Sequence, residues 1–359
     1  MSTPLPVNLH EYEPLARHHM TRMAWDYLAG GSGDERTLGW NRERFDALRL
    51  WPRVLRDVSA VDTSLTLLGH ALPFPVLLAP TGFHRLFHPE GELATARGAG
   101  IVGALYTIST AATTTVEDVA TMASAPIWFQ MYVQRDRGFT LELLRRAERA
   151  GCTGIMLTVD TPVLGARDRD QRNGLELPPG IELANLRTLR EREPDAPTFV
   201  HGARNPFLDP SLDWDALRWL VSQTKLPVIV KGVLHPDDAR RAIECGAAAI
   251  AVSNHGGRNL DTVPASIDAL PHVAAAVNGR VPVLLDGGVR RGVDVVKALA
   301  RGATAVMIGR PYLWGLGAAG ADGVARVVRM LVHELEMAMA QCGATNLGEI
   351  TRELLFDPD

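Results

Sequence analysis

Cysteine is scarce in this chain of 359 residues: Cys152, Cys245 and Cys342 lie far apart and in no metal-binding spacing. Cys152 and Cys245 sit in RAGCTGI and ECGAAAI, just ahead of apolar runs, which suits small buried hydrophobes and a reduced, intracellular setting. Net charge is scarce too. Lys and Arg total 37 against 41 Asp and Glu, a formal −4, so no basic footprint for nucleic acid exists. No uninterrupted apolar stretch is long enough to span a bilayer. The opening MSTPLPVNLHEYEPLARHHM lacks the apolar core of a secretion signal, so a cytoplasmic protein with no membrane partner is expected. Missing as well is a glycine-rich fingerprint after the first apolar run, which weighs against a dinucleotide-binding fold.

What is present is a repeat of one unit. Short apolar, β-branched runs are each followed by a polar or glycine tail and then a helical pattern. The runs are PVLLAP (75–80), ALYTIS (104–109), IWFQMY (127–132), GIMLTVD (154–160), PVIVKG (227–232), AIAVSN (249–254), PVLLDGG (282–288) and AVMIGR (305–310). TLELLRRAERAG (140–151), HPDDARRAIECG (235–246) and RGVDVVKALARG (291–302) are among the helical stretches between them. Continuous apolar strands alternating with helices indicate a parallel sheet covered on both faces. Eight units indicate a closed (β/α)8 TIM barrel, of the α/β class. One domain over 1–359 is expected, with a helical extension at 1–75 and the barrel at 76–359. An amphipathic stretch, EYEPLARHHMTRMAWDYLAGG, could close one mouth of the barrel with its last residues. The segment from about 163 to 213, after the fourth strand, is far longer than usual and rich in charge and proline. It reads either as a mobile lid on the catalytic side or as an ordered excursion against a neighbouring subunit.

Barrel enzymes keep their chemistry at the carboxyl ends of the strands. Those ends here carry Ala79, Pro80 and Thr81; Ser109; Gln130 and Tyr132; Thr158 and Asp160, with Arg167 beyond; Lys231; Ser253, His255 and Arg258; Asp286, Gly288 and Arg290; and Gly309 and Arg310. A polar residue at every strand end is hard to explain by folding, because burying charge is costly. In SNHGGRNLD (253–261) the glycines strip side chains from the backbone so that a ligand can approach, beside a titratable base and a permanent cation. DGGVRRG and IGRP place glycines and arginines where barrels commonly bind phosphate. Gln130, Thr158, Ser109 and Thr81 could meet the edges of a flat heterocycle. Lys231 would set a cation beside it, although a barrel-lining salt bridge or a Schiff-base lysine are the competing readings. Glycines needed only for tight turns, and a Tyr27 that merely packs, are the bland alternatives. His10, His18, His19, His84 and His88 lack strand-end positions and read as surface or loop residues.

In order and with family-like spacing, the chain carries WDYLAGGSGDE, APTG, HPEGE, WFQMYV, LTVDTP, VKG, VSNHGGRNLD, DGGVRRG and IGRP. On these motifs it resembles the FMN-dependent 2-hydroxy acid oxidising family, which includes glycolate and lactate oxidases and mandelate dehydrogenases. The resemblance covers nearly the whole chain and implies FMN, an L-2-hydroxy acid substrate and a homotetramer. It further implies that His255 is the base, with Asp160 stabilising its protonated form and Tyr132 alongside. Arg167 and Arg258 would clamp the substrate carboxylate, with Tyr27 and Tyr132 completing the substrate shell. Lys231, Gln130, Thr158, Ser109, Ser253 and the Ala79–Pro80–Thr81 backbone would surround the flavin ring. Asp286 would hold the ribityl chain, and Gly288, Arg290, Gly309 and Arg310 the phosphate. Three departures stand out. Ala111, in STAAT, replaces a frequent bulky aromatic and implies a larger, aromatic substrate such as mandelate. Asn259 stands where glutamine is usual, and Ala166 where arginine is frequent. The charged loop after the fourth strand and the absence of a haem domain ahead of the barrel imply O₂ as acceptor, giving H₂O₂. A soluble dehydrogenase with another acceptor, a monooxygenase, an FMN-dependent isomerase and a silent flavin-binding protein are the alternatives.

Overall fold

A computed structural model describes residues 6–192 and 208–356. Eight strands form the barrel: β1 (Val76–Leu78), β2 (Tyr106–Ile108), β3 (Ile127–Met131), β4 (Ile155–Thr158), β5 (Val228–Val233), β6 (Ala249–Val252), β7 (Val283–Asp286) and β8 (Ala305–Ile308). Each pairs in parallel with its neighbour in sequence, and β8 closes on β1 through Val306–Val76, Met307–Leu77 and Ile308–Leu78. These are the eight apolar runs of the sequence. Their side chains divide the core in two. Leu77, Trp128, Met156, Ile229, Ala251, Leu284 and Met307 fill the barrel interior, whereas the alternate residues pack outward under the helices. An antiparallel hairpin, Leu65–Leu67 with His70–Leu72, precedes β1 and adds Leu67 and Leu72 to the interior cluster. It packs on the amino-terminal end of the barrel and was not legible in the sequence.

Helices return the chain after every strand. Arg137–Arg149 is typical: Asp136 accepts a hydrogen bond from the Phe139 amide at 3.0 Å, and Phe139, Leu143, Leu144 and Ala147 form the buried stripe. The last, Arg310–Cys342, bends sharply at Ala319–Gly320, where the backbone leaves helical angles. The amino-terminal amphipathic stretch is two helices, Leu9–His19 and Arg22–Ala29, each capped by its own residue, Asn8 and Thr21. The second reaches the carboxyl-terminal mouth of the barrel, as expected. A third helix, Arg36–Ala47, lies across the loops after β6 and β7. Of the long segment after β4, the described part holds short helices at Asp168–Arg172 and Arg187–Arg192. The remainder of the expected lid, 193–207, falls outside the described residues. No helix among the described residues is long and apolar enough to cross a membrane.

Candidate active site

A cavity of about 400 Å³ opens at the carboxyl ends of the strands, within the range of small-molecule sites. Tyr27, Ala79, Pro80, Thr81, Ser109, Gln130, Tyr132, Thr158, Arg167, Lys231, His255, Arg258, Asp286, Gly288, Arg290, Gly309 and Arg310 all border it. Asp160 and Ser253, the other residues expected there, stand directly behind. Asp160 Oδ1 lies 3.0 Å from His255 Nδ1, and Ser253 Oγ accepts from Lys231 Nζ at 3.0 Å and from the His255 amide at 3.0 Å.

The Asp160–His255 pair is built by backbone geometry. Gly232 in β5 has φ +107°, and a Cβ there would come within 2.6 Å of the Asp160 side chain, so the glycine of VKG makes room for the carboxylate. Asn259 donates from Nδ2 to the Asp160 carbonyl and to Thr161 Oγ1, both at 2.8 Å. Burial alone would raise the Asp160 carboxyl, but the His255 imidazole and the Lys231 ammonium hold it below the usual carboxylate range. His255 is under two opposing influences. Burial pushes its imidazole below the ordinary value; Asp160 pushes it up, as the resemblance implied, but burial with the Lys231 and Arg167 cations outweighs that. That direction favours the neutral ring. Burial likewise drives the Tyr132 phenol up to about 12, with the Asp160 charge adding to it, so this hydroxyl stays protonated.

The cations are held in different ways. Lys231 is buried 3.4 Å from Asp286 Oδ2; burial alone would lower it, but Asp286 and Asp160 keep it above the ordinary lysine value. Arg258 donates from Nη1 to the carbonyls of Tyr27 (2.6 Å) and Gly30 (2.9 Å), its guanidinium sits 4.7 Å from the Tyr27 ring centre, and Nη2 has no partner. Arg167 Nε donates to the Arg258 carbonyl at 3.2 Å. Its sequence neighbours do other work: Arg169 pairs with Glu35, and Arg172 is exposed. Arg310 is spent on three carbonyls, those of Leu28, Gly256 and Gly30, at 2.8–2.9 Å. Arg290 lies 4.8 Å over the Trp314 ring, and burial with the nearby Arg42 lowers it to about 10. Tyr27 both packs and faces the cavity: its ring meets Phe83 edge-on at 5.2 Å.

On the opposite wall, Gln130 is locked by donors and acceptors. Its Nε2 donates to Thr158 Oγ1 at 3.1 Å, and its Oε1 accepts from the Thr110 amide at 3.1 Å and the Ser109 hydroxyl at 3.3 Å. Thr81 is tied through its hydroxyl to His84 at 2.7 Å and to Tyr312. His84, read as a surface or loop residue, does lie in a loop but not at the surface. It is fully buried in the turn after β1, with Thr95 on its other ring nitrogen at 2.9 Å. All three cysteines are free and buried.

The glycines also need a second reading. Gly257 (φ +74°) and Gly288 (φ +96°) have no room for a side chain because the Arg36–Ala47 helix presses on them. A Cβ would lie 2.7 Å from the Leu38 amide nitrogen in one case and 2.1 Å from the Asn41 carbonyl oxygen in the other. Helix contact, beside any ligand approach, demands glycine there. Sequence reasoning also missed the leucines that line the cavity from the segment after β4, Leu175, Leu183, Leu186 and Leu208. Their only signal was an apolar residue recurring within a charged stretch.

The wall chemistry fits a flat heterocycle with an anionic tail. Arg258, Arg290 and Arg310 form no ion pair among the described residues, and Asp286 Oδ1 is buried without a partner. Amide and hydroxyl groups face them across the cavity, and Gly309 opens the amino terminus of the last helix onto it. FMN meets this description. A family model described as FMN-dependent dehydrogenase matches residues 16–357. An L-lactate oxidase of Nostoc sp. is 50% identical, with 98% of each chain covered. A peroxisomal (S)-2-hydroxy-acid oxidase of Oryza sativa subsp. japonica is 47% identical over 98% of this chain and 96% of its own. Among solved structures, a mandelate oxidase with benzoyl-formic acid superposes with a TM-score of 0.89 at 41% identity, covering 98% of both chains. On fold, cavity chemistry and these likenesses together, the chain belongs to the family of FMN-dependent 2-hydroxy acid oxidases, with FMN as its cofactor.

Proposed function

We propose that this protein oxidises (S)-2-hydroxy acids to 2-oxo acids, passes the electrons to O₂ as hydrogen peroxide, and accepts acids with a bulky aromatic side chain such as mandelate. The observation that carries the reaction is the 3.0 Å contact from Asp160 Oδ1 to His255 Nδ1. A carboxylate at Nδ1 selects the tautomer with its proton there and leaves the Nε2 lone pair to take a proton from substrate. Asp160 then stabilises the imidazolium that forms. FMN, when bound, supplies the acceptor for two electrons. The free Nη2 of Arg258 and the neighbouring Arg167 guanidinium suit the substrate carboxylate. The protonated Tyr132 hydroxyl can donate to the substrate beside them. The same residues serve whether His255 takes the hydroxyl proton or the Cα proton.

Substrate size rests on Ala111. Its methyl borders the cavity and would lie 3.1 Å from a Cβ at Gly82, so two small residues open that wall together. The turn carrying Leu183 and Leu186 docks on the same loop through the Ala184 amide and the Ala112 carbonyl at 3.1 Å. An apolar wall beside an open space suits an aromatic ring. The relatives named above act on both small and aromatic acids, so a direct comparison is needed. The visible spectrum is recorded before and after anaerobic mandelate, and again in air. Bleaching by mandelate, rapid recovery with peroxide, and a kcat/KM for mandelate above that for glycolate are expected. Slow recovery would replace O₂ by another acceptor, a strong glycolate preference would overturn the size argument, and no bleaching by any hydroxy acid would overturn the reaction.

A further inference from the structure

The Arg36–Ala47 helix lies outside the barrel and supplies no side chain to the cavity wall, yet it is fastened to two loops of the site along its whole length. Its amino terminus is not capped by its own residue: Glu35 sits at φ +60° and makes no capping bond. Asp261 of the loop after β6 does this instead, with Oδ1 accepting from the Thr37 amide at 2.8 Å and Oδ2 from the Arg36 amide at 3.3 Å. Thr37 Oγ1 donates to the Val263 carbonyl at 3.0 Å. At the other end, Arg42 Nη1 donates to the Gly288 carbonyl and, at 2.8 Å, to Asp294, while Lys297 Nζ donates to the Phe45 carbonyl at 2.8 Å.

At the centre is a reciprocal amide pair, fully buried. Asn41 Nδ2 donates to Asn254 Oδ1 at 2.9 Å, and Asn254 Nδ2 donates to Asn41 Oδ1 at 2.8 Å. Neither amide can turn over. Asn254 Nδ2 also donates to the Pro264 carbonyl and Oδ1 accepts from the Gly257 amide, while Asn41 Oδ1 accepts from the Ser266 amide. Asn254 lies between Ser253, which holds Lys231, and His255. His255 is itself in the left-handed region at φ +58°, which a non-glycine residue keeps only where its surroundings fix it. The same Asn41 presents its carbonyl to Gly288 of the loop after β7.

We infer that Asn41 is a positioning residue: through its amide pair with Asn254 and its backbone contact at Gly288, it sets the base-bearing loop and the phosphate-side loop in one register. This rests on the proposed roles of His255 and of the β7 loop. The effect is geometric, and a displacement of about 1 Å at a reacting group costs on the order of 10²-fold in rate.

The test uses the holoenzyme with three variants. Asn41→Ala is expected to lower kcat by about 10²-fold with KM little changed, to shift the acid limb of the kcat/KM profile, and to raise the FMN dissociation constant at least roughly tenfold. Leu9→Ala, a fully buried change in another helix, is expected to lower Tm and move none of these. Asn41→Asp keeps the shape but sets a carboxylate oxygen against Asn254 Oδ1. Its FMN affinity is expected to recover towards the parent value as pH falls and the buried carboxyl regains a proton to donate. This variant carries the test if Asn41→Ala does not fold. An Asn41→Ala protein that loses Tm but keeps the parent kcat, pH profile and FMN affinity would overturn the inference, as would pH-independent affinity in Asn41→Asp. FMN affinity needs no turnover, so failure of the proposed reaction and failure of the clasp are told apart.

Discussion

Asp160 pulls His255 against its surroundings, and that tension makes the pair testable. The base must be neutral to act, so activity is lost as pH falls through a value below the ordinary 6.5. Asp160→Asn removes the contribution that raises it. The acid limb of kcat/KM should therefore move to still lower pH, while kcat falls by on the order of 10²-fold because the imidazolium is no longer stabilised. Ala111→Trp should fill the open wall, lowering kcat/KM for mandelate far more than for glycolate when both are assayed on the same preparation. Asp160 and His255 were legible because each sets a titratable group at the end of an apolar run; Ala111 was legible only as a departure from the family's pattern. His84 was not. It sits in the turn beyond the first strand and not at the strand end itself, and one of its contacts, Tyr312, comes from the distant helix Arg310–Cys342. The direction of the His255 shift was also hidden, because burial cannot be read from a neighbouring carboxylate's presence.

Elements explain more of the glycines than ligands do. Gly257→Ala places a methyl 2.7 Å from a backbone nitrogen of the Arg36–Ala47 helix, at φ +74°. Left-handed strain alone costs about 1–3 kcal/mol, and the overlap adds to it. Gly151→Ala, at φ +88° with nothing within 4 Å, should cost only the strain. Urea unfolding of the two variants should show the first clearly less stable; equal losses would mean that the helix yields. The barrel was readable from eight repeats of one pattern. The hairpin before β1 was not, because each of its strands has three residues. The clasping helix, RTLGWNRERFDA, carries none of the motifs singled out in the sequence. Its meaning lies in Asn254, Asp261 and Gly288, more than two hundred positions away.

Over the whole molecule, Arg258, Arg290 and Arg310 converge on one cavity and form no ion pair among the described residues, whereas Lys231 has Asp286. Buried unpaired cations are costly, so the protein stripped of FMN should melt at a lower Tm than the holoenzyme. Cofactor at a thousandfold excess over its dissociation constant is worth about 4 kcal/mol. Scanning calorimetry with and without FMN measures this; identical curves would mean that FMN does not bind the folded chain. The cavity is also assembled from both ends of the sequence. Arg310 reaches back to the carbonyls of Leu28 and Gly30, and Arg258 to those of Tyr27 and Gly30. During synthesis, the carbonyls leave the ribosome long before the guanidiniums that will bind them. A nascent chain that ends ahead of β8 has no finished site to offer, and flavin loading becomes a late step that follows release of almost the entire polypeptide.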